Sequence, residues 1–356
     1  MTLISLDGSQ FSDSDSYILG ALTLAAATGQ AFEMDEVGKL AAVPGVSPLH
    51  LTAMRALAAL CGAEMKGETL RAKKVRFAPS HEPRARDLLI DTGEATGRPS
   101  PISVTPLIQA LIPVLAHASD EGLIRLRGAN ATPQHPSVFW LRETLAPMLA
   151  WVGIEAGIEI EKWGWYPDGG GESTLLVEGN LGNAALPIPL VWEERGDLVG
   201  MWGLAALSPR LDERVGQQML GTLARELGKE AMEPVITEVM RVRSPGPGSG
   251  LFLSMQFEQV TAGFEAVSHQ GMSAEQVARE ATDAMSHYFW SDAAFDPELA
   301  TALMIPAALS GRSVTFTTSE LTLPMRVLEF LITRFLPVKV SLTKHPAGGQ
   351  VQIAPP

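Results

Sequence analysis

Proline in the middle of a helix removes one backbone hydrogen bond and costs about 3 kcal/mol. This sequence places it in an apolar helical run three times. Val104 to Ala118 reads VTPLIQALIPVLAHA, with Pro113 inside it, and Val138 to Val152 reads VFWLRETLAPMLAWV, with Pro147. A third copy lies far downstream, Leu303-Met304-Ile305-Pro306-Ala307-Ala308-Leu309. Three such runs predict an internal repeat of helix-plus-strand modules, each packing one kinked helix on a sheet.

A chain of 356 residues is long enough for two domains and a large core. Its formal net charge of -13 makes the surface as a whole repel nucleic acid and anionic membranes. A site for a polyanion must therefore be a local exception. The single cysteine, Cys61, excludes an internal disulfide and a cysteine-built metal cluster, which suits a reducing compartment. The N-terminus MTLISLDGSQFSDSD has no basic segment followed by an apolar core, and no apolar run approaches the roughly 18 residues of a membrane span. These features predict a cytoplasmic protein with no membrane partner.

Along the chain, Leu3 to Leu6 is a strand and Asp7 to Ser16 a polar loop, followed by a helix from Tyr17 to Ala27 capped by Ser16. Ser47-Pro48 opens a second helix, terminated by Gly62. Glu64 to Ala78 is a strand pair, and Leu123 to Arg127 a strand. Ile154 to Trp165 and Ser173 to Val177 form a hairpin around the glycine-rich turn at 166–172. Residues 180 to 192, with Pro187 and Pro189, read as a linker. Beyond them lie a strand (Leu198 to Leu207), a charged amphipathic helix (Asp212 to Leu227), a strand (Leu251 to Glu258) and a helix opened by a Ser273/Gln276 capping box. The third proline run, a strand (Val314 to Thr318), a helix (Pro324 to Phe335) and a last strand (Val338 to Leu342) then return to the repeat. The expected organisation is α/β: a repeat domain over 1–189 and 273–356, with a small α/β domain inserted at 190–272.

Residues alone nominate few chemical groups. The seven histidines show no HxxxH or HxH spacing, so no histidine metal site is expected. There is no GxSxG, no GxxxxGK[ST] and no strand-GxGxxG-helix. The most basic stretch, 66–87, carries Arg71, Lys73, Lys74 and Arg76 on or beside the strand pair; these four are the candidate RNA-binding residues.

Several stretches in order along nearly the whole chain resemble the RNA 3'-terminal phosphate cyclase family. They are Asp7-Gly8-Ser9, Pro44-Gly45 with His50-Leu51 and Arg55-Ala56-Leu57, Cys61-Gly62-Ala63-Glu64, and Ser103-Val104-Thr105 with Gln109. Further on come Tyr166-Pro167 with Gly169-Gly170-Gly171-Glu172, Pro245-Gly246-Pro247-Gly248, Phe257-Glu258 with Val260-Thr261, Val277-Ala278, and Arg334-Phe335-Leu336-Pro337-Val338. The resemblance implies three β-α-β-α-β-β units in one large domain, with a small α/β insert. It also implies an ATP- and Mg-dependent chemistry. A histidine takes AMP from ATP and passes it to an RNA 3'-phosphate, and the neighbouring 2'-hydroxyl displaces it to close a 2',3'-cyclic phosphate.

Position by position, the sequence departs from that pattern. The glycine-rich loop expected after Asp7-Gly8-Ser9 is replaced by Phe11, Ser12, Asp13, Ser14, Asp15, Ser16 and Leu19. The expected arginine pair falls near Gly38 and Ala41, the glutamine before His50 is Leu49, and an Asp-Gln pair becomes Thr301-Ala302. The nucleophilic histidine falls on Pro324. Only His50 and Gln109 match, His50 as the sole candidate for a catalytic group and Gln109 at a nucleotide-contacting position. The reading is a cyclase-like protein without the catalysis, acting by binding in RNA processing or RNP assembly, with RNA or a protein as partner. Its alternatives are an active cyclase with relocated groups and a small-molecule transferase on the related repeat fold.

Overall fold

The computed structural model describes residues 3–95, 97, 101–118, 120–179, 190–229 and 236–355. Most of the predicted linker at 180–192 lies outside them. The first unit runs β1 (Ile4–Asp7), α1 (Ser14–Thr28), β2 (Phe32–Asp35), α2 (Pro48–Cys61), β3 (Glu64–Lys66) and β4 (Val75–Ala78). The second runs β5 (Leu88–Asp91), α3 (Thr105–Leu115), β6 (Ile124–Gly128), a composite helix from Val138 to Val152, β7 (Ile154–Lys162) and β8 (Gly171–Gly179). The composite helix comprises α4 (Val138–Trp140), a π turn (Leu141–Leu145), α5 (Ala146–Leu149) and a final 3₁₀ turn.

A third unit opens with β9 (Leu190–Trp192). Four strands and two helices then intervene: β10 (Leu198–Leu207), α6 (Glu213–Lys229), β11 (Ile236–Arg241), β12 (Ser249–Phe257), β13 (Thr261–Val267) and α7 (Ala274–Phe289). The unit resumes with α8 (Pro297–Leu309), β14 (Val314–Thr318), α9 (Leu323–Phe335), β15 (Lys339–His345) and β16 (Gly348–Ala354).

Strand order exposes the repeat. The three sheets read β1-β2-β4-β3, β5-β6-β8-β7 and β9-β14-β16-β15. In each, the first two strands are parallel and the other neighbours antiparallel. A parallel pair needs a crossover, and here α1, α3 and α8 supply it. Pro113 and Pro306 therefore occupy equivalent crossover helices, whereas Pro147 lies in the second helix of its unit and α1 has no internal proline. The proline runs mark the repeat, but the middle one is not a copy of the other two.

Local chemistry explains the elements. Along β6, Ile124 and Leu126 face the core while Arg125 and Arg127 face solvent, the period-two pattern of a sheet with one covered face. In α1 every residue from Tyr17 to Ala26 is buried, as expected of a helix that is apolar all round. It packs on α2, α3 and α9, and Gly20 lets α9 approach: a Cβ there would sit 2.8 Å from Leu331 Cδ1. The predicted start of this helix is corrected. It begins at Ser14, and its cap is Asp13, whose carboxylate accepts from the Ser16 N–H at 3.0 Å. Ser47 and Ser273 cap α2 and α7 with reciprocal capping boxes.

One continuous apolar core joins the three repeat sheets. The intervening sheet β11-β10-β12-β13 has its own core with α6 and α7, including Met219, Leu223, Phe264, Met285 and Tyr288. A small third cluster, with Phe139, Trp163 and Trp165 against Leu204 and Phe252, joins that sheet to the second unit. Cys61 is buried, donates to the Leu57 carbonyl, and has its thiol pKa pushed up to about 11 by burial. Among the described residues, no helix is long and apolar enough to cross a membrane.

Candidate functional site

Four helix N-termini converge on one cleft. Asp13, Asp15, Ser16 and Leu19 reach it from α1, Pro106, Gln109 and Ala110 from α3, Glu298, Thr301 and Ala302 from α8, and Thr322, Pro324 and Leu328 from α9 and its lead-in. The cavity is ≈ 440 Å³. It shares Gln134, His135, Pro136, Pro297 and Glu298 with a second cavity of ≈ 400 Å³. That neighbour is walled on the far side by β13 and α7, through Gly263, Phe264, Glu265, Glu280, His287 and Tyr288. Positions far apart in sequence (13–19, 109, 301–302 and 324) thus meet in one place.

Two of the helices bring paired acids at their first turn. Asp13 caps α1 with Asp15 two residues on; Asp296 caps α8 with Glu298 two residues on. A capping carboxylate satisfies orphan N–H groups and favours the helix dipole. Asp296 Oδ1 accepts from the N–H groups of Glu298 (2.9 Å) and Leu299 (3.1 Å). Two of the four helix ends, those of α1 and α8, are thus occupied by the protein's own carboxylates, whereas the N-cap residues of α3 and α9, Val104 and Thr322, make no side-chain cap. An N-terminus carries about half a positive charge, and two carboxylates on each outweigh it.

Burial sets the protonation of the cleft. Asp296 is 4 % exposed, and desolvation pushes its pKa up to about 6 despite the two backbone hydrogen bonds. Glu298 opens onto the cleft but is crowded by protein elsewhere; desolvation first, then repulsion from Asp296, Glu265 and Asp13, push it up to about 7. Glu265, on β13, accepts from Ser137 N at 2.5 Å and Ser137 Oγ at 2.6 Å, yet desolvation still drives it to about 7. Ser137 also caps the composite helix, accepting from Trp140 N at 3.1 Å, while Trp140 Nε1 donates to the Gly263 carbonyl at 2.9 Å. These bonds fasten β13 to the second unit beside the cleft. Burial also lowers the pKa of His135, which borders both cavities, so the ring is neutral near pH 7.

His50 stands behind this cleft and borders neither cavity. Its ring is 1 % exposed as a residue and fully employed. Nδ1 accepts from the Ser47 N–H at 3.2 Å, completing the α2 capping box, so Nε2 carries the proton and donates to Asp15 Oδ1 at 2.7 Å. That hydrogen bond holds the Asp15 carboxyl below its ordinary pKa. Neither nitrogen has a free lone pair. Pro324 lies in the first turn of α9, where its missing N–H costs nothing.

Gln109 borders the first cavity. The four predicted RNA-binding residues lie elsewhere. Arg71, Lys73 and Lys74 are exposed on the loop entering β4, and Arg76 is half-buried within that strand. Lys74 is paired with Glu33 (2.5 Å) and Asp35 (3.1 Å) across the sheet, which neutralises one member of the patch.

Neither cavity is bordered by a lysine or arginine among the described residues. The triphosphate of ATP needs cations or unspent N–H donors; this cleft sets Asp13, Asp15 and Glu298 against the uncapped ends of α3 and α9, so its balance of charge does not fit a polyanion. Nor do the described residues contain a group of three or more His, Cys, Asp or Glu able to hold a metal ion. Sequence reading did not single out His135, Glu265, Asp296 or Glu298. The Asp296-Pro297-Glu298 opening of α8 was nonetheless available as an Asp cap with proline and acid in the first turn.

A family model described as RNA 3'-terminal phosphate cyclase matches residues 15–342. The chain is 34 % identical to the RNA 3'-terminal phosphate cyclase of Methylococcus capsulatus, over 99 % of this chain and 97 % of that protein. It is 30 % identical to the protein of the same name from Gloeothece citriformis, over 86 % of each, and 30 % identical to that of Salmonella typhimurium, over 99 % of each.

Proposed function

This chain belongs to the RNA 3'-terminal phosphate cyclase family, and we propose that it has lost the cyclisation chemistry and acts by binding RNA in RNA processing or RNP assembly. One observation carries the reading: the cleft where positions 13–19, 109, 301–302 and 324 meet holds Asp13, Asp15 and Glu298 and, among the described residues, no lysine or arginine. Two details support it. Pro324 has no nitrogen lone pair to attack a phosphate, and His50 has both ring nitrogens committed to Ser47 and Asp15. Loss of a nucleophile that acts together with its neighbours costs on the order of 10⁶ in turnover.

RNA contact on this reading falls to the exposed Arg71 and Lys73 and the half-buried Arg76, with Lys74 weakened by its acidic partners. The domain division is part of the same proposal, with limits shifted from 190–272 to about 197–291. β9 pairs with β14 of the third repeat sheet, and α7 shares a core with β12 and β13. The test is to incubate the protein with ATP, Mg²⁺ and an RNA oligonucleotide ending in a 3'-phosphate. The expected result is RNA binding with the 3'-phosphate left removable by phosphatase. An ATP-dependent, phosphatase-resistant cyclic end overturns the proposal.

A further inference from the structure

The two joined cavities form an elongated cleft with acids along its whole length. Asp13 and Asp15 stand at one end, Glu298 at the shared middle, and Asp296 and Glu265 in the second cavity. Beyond this acidic lining, Asp296 and Thr132 each hold a side-chain oxygen, Oδ2 and Oγ1, that is buried without a hydrogen-bond partner. Both residues are 4 % exposed and both border the second cavity. Buried polar atoms without partners are costly, so a pair of them beside one cavity points to a ligand that donates.

The prolines supply further acceptors. Pro113 and Pro306 have no N–H, so the carbonyls four residues earlier, on Gln109 and Ala302, lack their usual helical donor. Both residues border the first cavity. The ligand that matches is positive, rich in N–H and partly apolar, because Trp140, Phe264 and Tyr288 line the second cavity and aromatic faces attract organic cations. A bare metal ion does not match, since the described residues gather no three ligands for one.

We propose that this cleft is a binding site for a linear aliphatic polyamine. One ammonium sits against Asp296 and Glu298, the methylene chain passes His135 and Pro136, and a second ammonium reaches Asp15. The raised pKa values of Asp296 and Glu298 fit such a site, because a bound cation offsets the desolvation that raises both and the carboxylate repulsion that adds to it at Glu298. The inference rests on the reading that the cleft does not hold ATP, and the experiment separates the two.

Isothermal titration of the full chain with spermidine tests it, with ATP–Mg²⁺ titrated in parallel. The expected result is saturable binding weakened at least tenfold by Asp296→Asn and by Glu298→Gln, and unchanged by Glu155→Gln on an exposed strand position. Glu298 opens to the cleft, so its variant keeps the test valid if Asp296→Asn fails to fold. Non-saturating binding, or equal weakening by all three variants, overturns the site and reduces the effect to attraction by the -13 net charge. No spermidine binding together with no ATP binding overturns the polyamine site and leaves the proposed function standing. ATP binding that spermidine cannot displace, with a covalent adenylate, overturns both.

Discussion

Replacing Glu265 by glutamine should flatten the pH dependence of stability. In the native protein this carboxyl accepts two hydrogen bonds from Ser137, yet burial raises its pKa from 4.5 to about 7. A raised carboxyl pKa means that the folded state binds the proton more tightly than the unfolded state does. Its favourable contribution is therefore fully present below pH 4.5 and lost as pH rises through about 7. A shift of this size corresponds to about 3 kcal/mol at most, of which about 2 kcal/mol is lost between pH 5.5 and 8. With an unfolding entropy of about 2.1 cal/mol/K per residue, a domain assembly this size loses roughly 3 °C in Tm. Glutamine keeps an acceptor for Ser137 and cannot ionise. Differential scanning calorimetry of wild type and Glu265→Gln across that range should show the gap between them moving by about 3 °C in favour of the variant as pH rises. Parallel curves would refute the burial argument.

Other consequences follow from the same geometry. Gly263→Ala would put a Cβ 2.1 Å from Thr144 Oγ1 and 2.9 Å from Trp140 Cδ1, so it should separate β13 from the second unit and lower Tm by several degrees. Cys61 should resist Ellman's reagent at pH 8 until the chain unfolds, because its thiol is buried with a pKa of about 11; rapid native labelling would contradict the packing. Alanine at Arg71, Lys73 and Arg76 together should reduce the salt slope of single-stranded RNA binding by about 2. Alanine at Lys74, already paired with Glu33 and Asp35, should change it by less than half a unit, measured by fluorescence anisotropy at several salt concentrations.

Much of the architecture is legible in the sequence because apolar periodicity and caps are local signals. The Ser47 cap of α2, the α7 capping box, the β7–β8 hairpin and the helix at 323–335 appear where spacing predicts them. What escapes is decided by non-local partners. β9 is three residues long and exists because β14 lies beside it. β16 alternates Gln350 and Gln352 with buried Val351 and Ile353, but its opening Gly348-Gly349 and the prolines that follow it obscure a strand in the sequence. The π turn at Leu141–Leu145 has no signature beyond Pro147, whose ring cannot continue regular α geometry with residue 143.

The cleft was legible only by position. Gln109, Asp13, Asp15, Thr301, Ala302 and Pro324 do meet there. Their common electrostatic character depends on Asp296 and Glu298, which complete it from another helix, and on Glu265, contributed across the cleft by β13. The commitment of His50 could not be read from sequence either, because it depends on Asp15 lying 2.7 Å away across 35 residues of chain.

Incubation of the purified protein with ATP labelled at the α-phosphate, followed by denaturing electrophoresis, tests the central claim most directly. The account predicts no label retained on the chain, with wild type and His50→Ala indistinguishable. A covalent adenylate on the wild-type protein that disappears in His50→Ala would contradict it.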